Sequence, residues 1–162
     1  MGGRHSRLGA SLAAAWEAEV VSARLLDALA ECHVEPRARA KLRVLAAFCR
    51  AHASRLLARL SALGRGPLPV PREVEEVSAA DLERLLLREA QFARLSAQRY
   101  EGLAQLARQH ADLSSAWVCE LNRTEELDRA GELAHLARGM ASRRQDPEVP
   151  GPQDGWAAPL ES

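Results

Sequence analysis

With 162 residues and 22 basic against 22 acidic side chains, the chain has the length of one full-core domain and no net field to recruit nucleic acid or an anionic membrane. Its 47% apolar content comes mainly from Ala and Leu, with two Phe, one Tyr and three Trp, which favours helix over strand. Three widely spaced cysteines without a CxxC pair exclude a disulfide framework and a zinc finger, and no apolar run reaches the ~18–20 residues that span a bilayer.

The first residues lack the apolar core of a signal peptide, so the expectation is a cytoplasmic protein with no membrane partner. Met1-Gly2-Gly3-Arg4-His5-Ser6 fits the short MGxxxS myristoylation pattern and otherwise reads as a frayed start. Residues 7–30 form the first predicted helix, with Leu8, Leu12, Trp16, Ala23 and Leu26 on one stripe. Glu19 lies within ~20° of that stripe's centre, whereas Glu17 points outward. A carboxylate there needs a partner.

The segment Glu31–Glu35 breaks the pattern, and Pro36 suits the first turn of a second helix that runs to residue 63 before Gly64, a C′ residue. Two long helices across so short a break make an antiparallel hairpin. On the second helix Leu45, Phe48, Cys49, His52, Leu56, Leu60 and Leu63 fall within roughly 60° of one line. His52 sits at its centre. Arg59 shares the line near the helix end, where its charged head can snorkel to solvent.

The segment Gly64–Ser78 holds three prolines and two glycines and reads as an extended connector. Its fifteen residues can span ~45–50 Å, against ~40 Å for the second helix, enough to start a third helix parallel to the second. Ser78-Ala-Ala-Asp81 has capping-box spacing ahead of a helix over 79–109, whose inner stripe is Leu82, Leu85, Phe92, Tyr100, Leu103 and Leu106. Glu89 and Ser96 share that face and Glu101 does not. Asp112 or Ser114 caps a fourth helix over 113–140. One of its faces carries Trp117, Val118, Leu121 and Leu136 together with Glu125, Asp128, Glu132 and His135. The opposite face (Ala116, Cys119, Leu127, Ala130, Ala134) is weakly apolar, so the inward direction stays open. Residues 141–162 form a Pro-rich acidic tail without periodicity, expected to be disordered, in which Trp156–Leu160 could dock.

Counting outward from Val34, Glu19 lies fifteen residues before the turn and Cys49 fifteen after, with His52 one turn further. In an antiparallel pair these three are core neighbours. Glu19 facing His52 is either half of a metal site or a buried pair that satisfies itself. Cys49 and His52, one turn apart, form either a thiolate–imidazolium pair or inert core. His33 and His110, at the two hairpin turns, are expected to be solvated. No nucleotide-binding loop, nucleophile elbow or nucleic-acid module is present, and no catalytic set is complete.

Four long helices, a short first turn, a long middle connector, and His52-Ala-Ser-Arg-Leu56 ahead of Leu63-Gly64 resemble the ferritin-like superfamily over residues 8–140. In its bacterioferritin and rubrerythrin branches the first and third helices each give a Glu, and the second and fourth each give Glu-x-x-His. Glu19 matches the first glutamate and His52 the second-helix histidine, but Cys49 stands where that helix's glutamate belongs. Tyr100 resembles the common third-helix tyrosine; the glutamate expected before it falls near Ala93, and Glu89 is a turn early. Glu125-Glu126 resembles the fourth-helix pair, whose histidine would fall at Asp128 or Arg129. Glu132-Leu-Ala-His135 is a true ExxH but lies one or two turns too far along.

The resemblance implies an all-α, ferritin-like four-helix bundle with a long extended connector between its second and third helices. A di-iron site takes about six ligands, four of them carboxylates, and this set is incomplete. The resemblance therefore implies a non-catalytic binding or structural module without an obligatory cofactor, meeting a partner or a second copy through the bundle surface or the 145–162 tail. Any residual site would hold iron or manganese through Glu19, His52, Glu125 and Asp128, with Cys49, Glu89, Glu132 and His135 as weaker candidates. Two alternatives stand beside it. One is a metal-dependent oxidoreductase or iron-handling protein in which Glu89, Glu132 and His135 converge with Glu19 and His52. The other is an unrelated helical interaction module.

Overall fold

Pro36 opens a helix where its missing N–H costs nothing, and the chain around it turns back on itself. The computed structural model describes residues 2–66 and 68–145, and these form four long helices. They are α1 (Gly2–Cys32), α2 (Pro36–Ala62), α3 (Leu82–Gln109) and α4 (Leu113–Gln145), with a 3₁₀ turn at Ala79–Asp81 leading into α3. No strand occurs among the described residues. Helix thus reaches back to Gly2 and on to Gln145, beyond the frayed start and across the first residues assigned to the tail. Residues 146–162, with the Trp156–Leu160 segment, lie outside the described residues, as does Met1.

The α1–α2 turn is held by its own polar groups. The Glu35 N–H donates to His33 Nδ1 (3.2 Å), and the Arg39 guanidinium donates to the His33 carbonyl (3.2 and 3.0 Å). His33 is consequently buried rather than solvated. At the other hairpin, Asp112 Oδ1 accepts the Ser115 N–H (3.0 Å), which makes Asp112 the cap of α4. Ser78 does not cap the backbone; its hydroxyl donates to Asp81 Oδ2 (2.7 Å).

Two apolar clusters fill the ends of the bundle. One joins the second half of α1 and the first halves of α2 and α3 to the end of α4, through Leu26, Leu29, Leu42, Leu86 and Leu133. The other joins the opposite ends, through Leu8, Leu12, Leu56, Leu60 and Leu103. In this pairing α2 and α3 run in the same direction. The connector touches α1 in ascending order. Arg65 lies against Gly9, where an added Cβ would come 2.6 Å from its Nε. Arg72 meets Glu17 (3.7 Å), its carbonyl accepts from Arg24 (3.4 Å), and the Val77 carbonyl accepts from Cys32 Sγ (3.2 Å).

α2 is rotated from the expected orientation, and α4 takes one of the two orientations that its sequence left open. Phe48 is 43% exposed, because buried Ala46 and Ala53 move the centre of α2's inner face away from it. On α4 the weakly apolar side faces in: Ala116, Cys119, Ala130 and Ala134 are buried, whereas Trp117 is 63% exposed. Small side chains let α3 pack against this side; of the larger apolar residues on α4, Val118 and Leu133 are buried with them and Trp117 is left at the rim. Leu127, assigned to the same weak face, is exposed.

Candidate metal centre

Between the two apolar clusters lies a charged layer to which every helix contributes. α1 supplies Glu19, α2 supplies Cys49, His52 and Arg55, α3 supplies Glu89 and Tyr100, and α4 supplies Asn122, Glu125, Glu126 and Arg129. A layer this polar inside a bundle must satisfy itself, and its hydrogen bonds divide into two connected groups.

The first surrounds the His52 ring, which is fully buried. Nδ1 faces two carboxylate oxygens at once, Glu19 Oε2 at 3.3 Å and Glu126 Oε1 at 3.3 Å. On the other side Nε2 donates to Glu125 Oε2 at 2.7 Å. Glu125 is clamped in turn by Arg55, which donates to both its oxygens (2.6 and 3.2 Å) and to Asn122 Oδ1 (2.9 Å). The second oxygen of Glu19 accepts the Tyr100 hydroxyl at 2.6 Å.

The second group surrounds Arg129, which is 1% exposed. Its Nη1 donates to Glu89 Oε1 (3.0 Å) and to Cys49 Sγ (3.1 Å), and its Nη2 to Glu126 Oε2 (2.6 Å). Glu126 is therefore shared, with one oxygen toward His52 and the other on Arg129.

Burial would lower the His52 pKa, but the facing carboxylates of Glu126 and Glu19 outweigh it and raise it to about 9. Burial would raise Glu125, yet its bonds to Arg55 and His52 hold it below the usual carboxylate range. Burial pushes the Cys49 thiol well above its ordinary value despite Arg129, and burial with neighbouring Glu19 does the same to Tyr100. Cys49 is thus an inert thiol, not an activated nucleophile. Arg129, penalised by burial, is held firmly charged by the carboxylates of Glu126 and Glu89.

Whether a metal fits is decided by distances and by one orphaned atom. Charge-assisted N–H···O bonds run about 2.7–2.9 Å, as the Nε2 contact does, and both Nδ1 contacts are longer. A cation bound at about 2.0–2.2 Å holds neighbouring donors about 2.8–3.6 Å apart. The 3.3 Å spacing around Nδ1 is compatible with donors that share an ion as well as with long hydrogen bonds. Glu126 Oε1 is fully buried without a hydrogen-bond partner, and a ligand atom of each of Glu19, His52 and Glu126 lies within 4.8 Å of the others. Glu125 on the far nitrogen completes the carboxylate–histidine arrangement that orients ligating imidazoles. This buried Glu19–His52–Glu126 group could hold a metal ion.

Of the residues the sequence pointed to, Glu19 and His52 meet as expected. Glu125 reaches His52 from its outer side, and Cys49 and Glu89 converge on Arg129. The rotation of α4 keeps Asp128, Glu132 and His135 out of this layer. They line a surface groove of about 720 Å³ between α2 and α4, where Glu132 pairs with Lys41 at 2.8 Å. Sequence reasoning did not select Glu126, Arg129, Asn122 or Arg55 as site residues. The usable signal was Glu126-x-x-Arg129, which repeats the spacing of Cys49-x-x-His52. Among the described residues, no helix is long and apolar enough to cross a membrane. Compared with protein-family models, curated proteins and solved structures, the chain matches none.

Proposed function

We propose that this chain is a ferritin-like bundle that binds a single divalent transition-metal ion, iron or manganese, as a non-catalytic metal-binding module. The helix order and the ascending contacts of the connector along α1 support the ferritin-like reading. The observation that carries the metal is the asymmetry of the His52 ring, whose one nitrogen makes a short hydrogen bond while the other faces two carboxylates at ligand spacing. Glu19, Glu126 and His52 Nδ1 are the ligands in this reading. Two carboxylates and one imidazole make a donor set suited to iron(II) or manganese(II).

Each residue around the ligands has a defined task. Glu125 accepts the Nε2 proton and so leaves Nδ1 as the ligating nitrogen; Arg55 fixes Glu125, and Tyr100 fixes Glu19. The ion supplies fixed positive charge in place of the imidazolium proton. Formal charge agrees: three buried carboxylates (Glu19, Glu89, Glu126) and Arg129 sum to −2, which one divalent cation neutralises. The Glu125–Arg55 pair is neutral by itself.

The test is elemental analysis of untagged protein grown with iron and manganese, beside Glu126→Gln and His52→Ala. We expect close to one ion per chain in the wild type and loss in both variants, with helical circular dichroism retained. A metal-free wild type whose melting temperature manganese(II) does not raise would rule the reading out.

A further inference from the structure

The two hairpins contribute to the charged layer in parallel ways. The first gives a glutamate from its leading helix, Glu19, and a pair one turn apart from its second, Cys49 and His52. The second gives Glu89 and then Glu126 and Arg129. Glu126 joins the halves, because its two oxygens face different cationic groups. On one side stands the His52 ring. On the other stands a guanidinium enclosed by Glu89, Cys49 and Glu126, donors from three helices and of kinds that also bind divalent ions. Arg129 meets them through its terminal nitrogens alone, and its buried Nε has no hydrogen-bond partner.

We propose that Arg129 is a tethered cation filling the second of two adjoining cation cages, so that the centre takes one metal ion only, and that Cys49, Glu89 and Glu126 form a latent thiolate–carboxylate metal site beneath it. The stoichiometric half of this proposal rests on the single-ion reading above. Charge supports both halves. With Arg129 present, the three buried carboxylates are neutralised by one divalent ion, and a second ion would leave the layer at +2. With Arg129 removed and Cys49 ionised, the layer sums to −4, the charge of two divalent ions. Binding at the second cage would release the Cys49 thiol proton to solvent as the sulfur–metal bond forms.

Cobalt(II) is the probe, counted by native mass spectrometry and watched for the near-ultraviolet thiolate-to-cobalt charge-transfer band. Wild-type protein is expected to bind one ion without that band. Arg129→Ala is expected to bind two and to develop the band, which Arg129→Ala/Cys49→Ala should lose. An Arg129→Ala variant that still binds one ion without the band overturns the proposal alone. Wild-type protein binding two ions, both lost in Glu126→Gln, also overturns it and needs no new variant. Wild-type protein that binds no cobalt overturns the single-ion reading, and the limit of one with it. Should Arg129→Ala fail to fold unaided, millimolar methylguanidinium or cobalt is expected to restore its helical signal by refilling the cage. Failure of both counts against the proposal.

Discussion

At His52 the metal-free folded protein binds a proton more tightly than the unfolded chain does, because Glu19, Glu126 and Glu125 all face the ring. Its pKa stands at about 9 against 6.5, so the stabilisation is fully present below about pH 6.5 and is lost as pH rises through about 9. The span corresponds to about 3 kcal/mol. Metal-free protein should therefore melt at lower temperature at pH 10 than at pH 6, and His52→Leu should flatten that difference. Equal pH slopes for wild type and variant would show that the imidazolium does not hold the layer together. The inward direction of His52 and Glu19 was legible from helical period and turn counting alone. Glu126 and Arg129 were not, because pattern reading assigns apolar residues to the interior and both are charged. They are tolerated inside because each partly neutralises the other and their neighbours, which no single-helix pattern reveals.

α3 and α2 end in the same hydrogen-bonded motif with different residues at its critical position. At the end of α2, Gly64 bonds back to Ser61 and Arg65 to Leu60, with Gly64 at φ 65°. At the end of α3, Ala111 bonds to Arg108 and Asp112 to Ala107, with Ala111 at φ 58°. An alanine in the left-handed region pays a steric cost of about 1–2 kcal/mol, partly offset because glycine loses more entropy on folding. Ala111→Gly should thus stabilise the protein by about 0.5–1 kcal/mol, read as a higher denaturant midpoint at unchanged slope. A lower midpoint would mean that the Ala111 methyl group contributes packing that outweighs the strain. Gly64 was recognisable as a helix stop from its residue type; the stop at Ala111 carries no such mark. The orientation of α4 was obscured for a related reason. Most of its buried side is small residues, Ala116, Cys119, Ala130 and Ala137, which carry little hydrophobic signal although they let a neighbouring helix pack closely.

Across the whole molecule, apolar cores at both ends enclose a charged layer, and the ends have to offset the cost of desolvating the middle. With His52 protonated, the buried groups Glu19, Glu89, Glu126, Arg129 and His52 still sum to −1. A divalent ion at the His52 side would remove that excess and tie α1, α2 and α4 together, and because the site exists only in the folded bundle, binding becomes stability. Manganese(II) at about one hundred times its dissociation constant should add about 2.7 kcal/mol, a rise of roughly 5–10 °C in melting temperature for a chain of this length. Chelation should reverse the rise, and Glu126→Gln should show almost none of it. The control is Asp128→Asn, which alters only the groove carboxylate on the outside of α4 and should respond as the wild type does. If instead Glu126→Gln keeps the full rise and Asp128→Asn loses it, the stabilising ion binds in the α2–α4 groove, and the buried layer is a self-contained network of ion pairs.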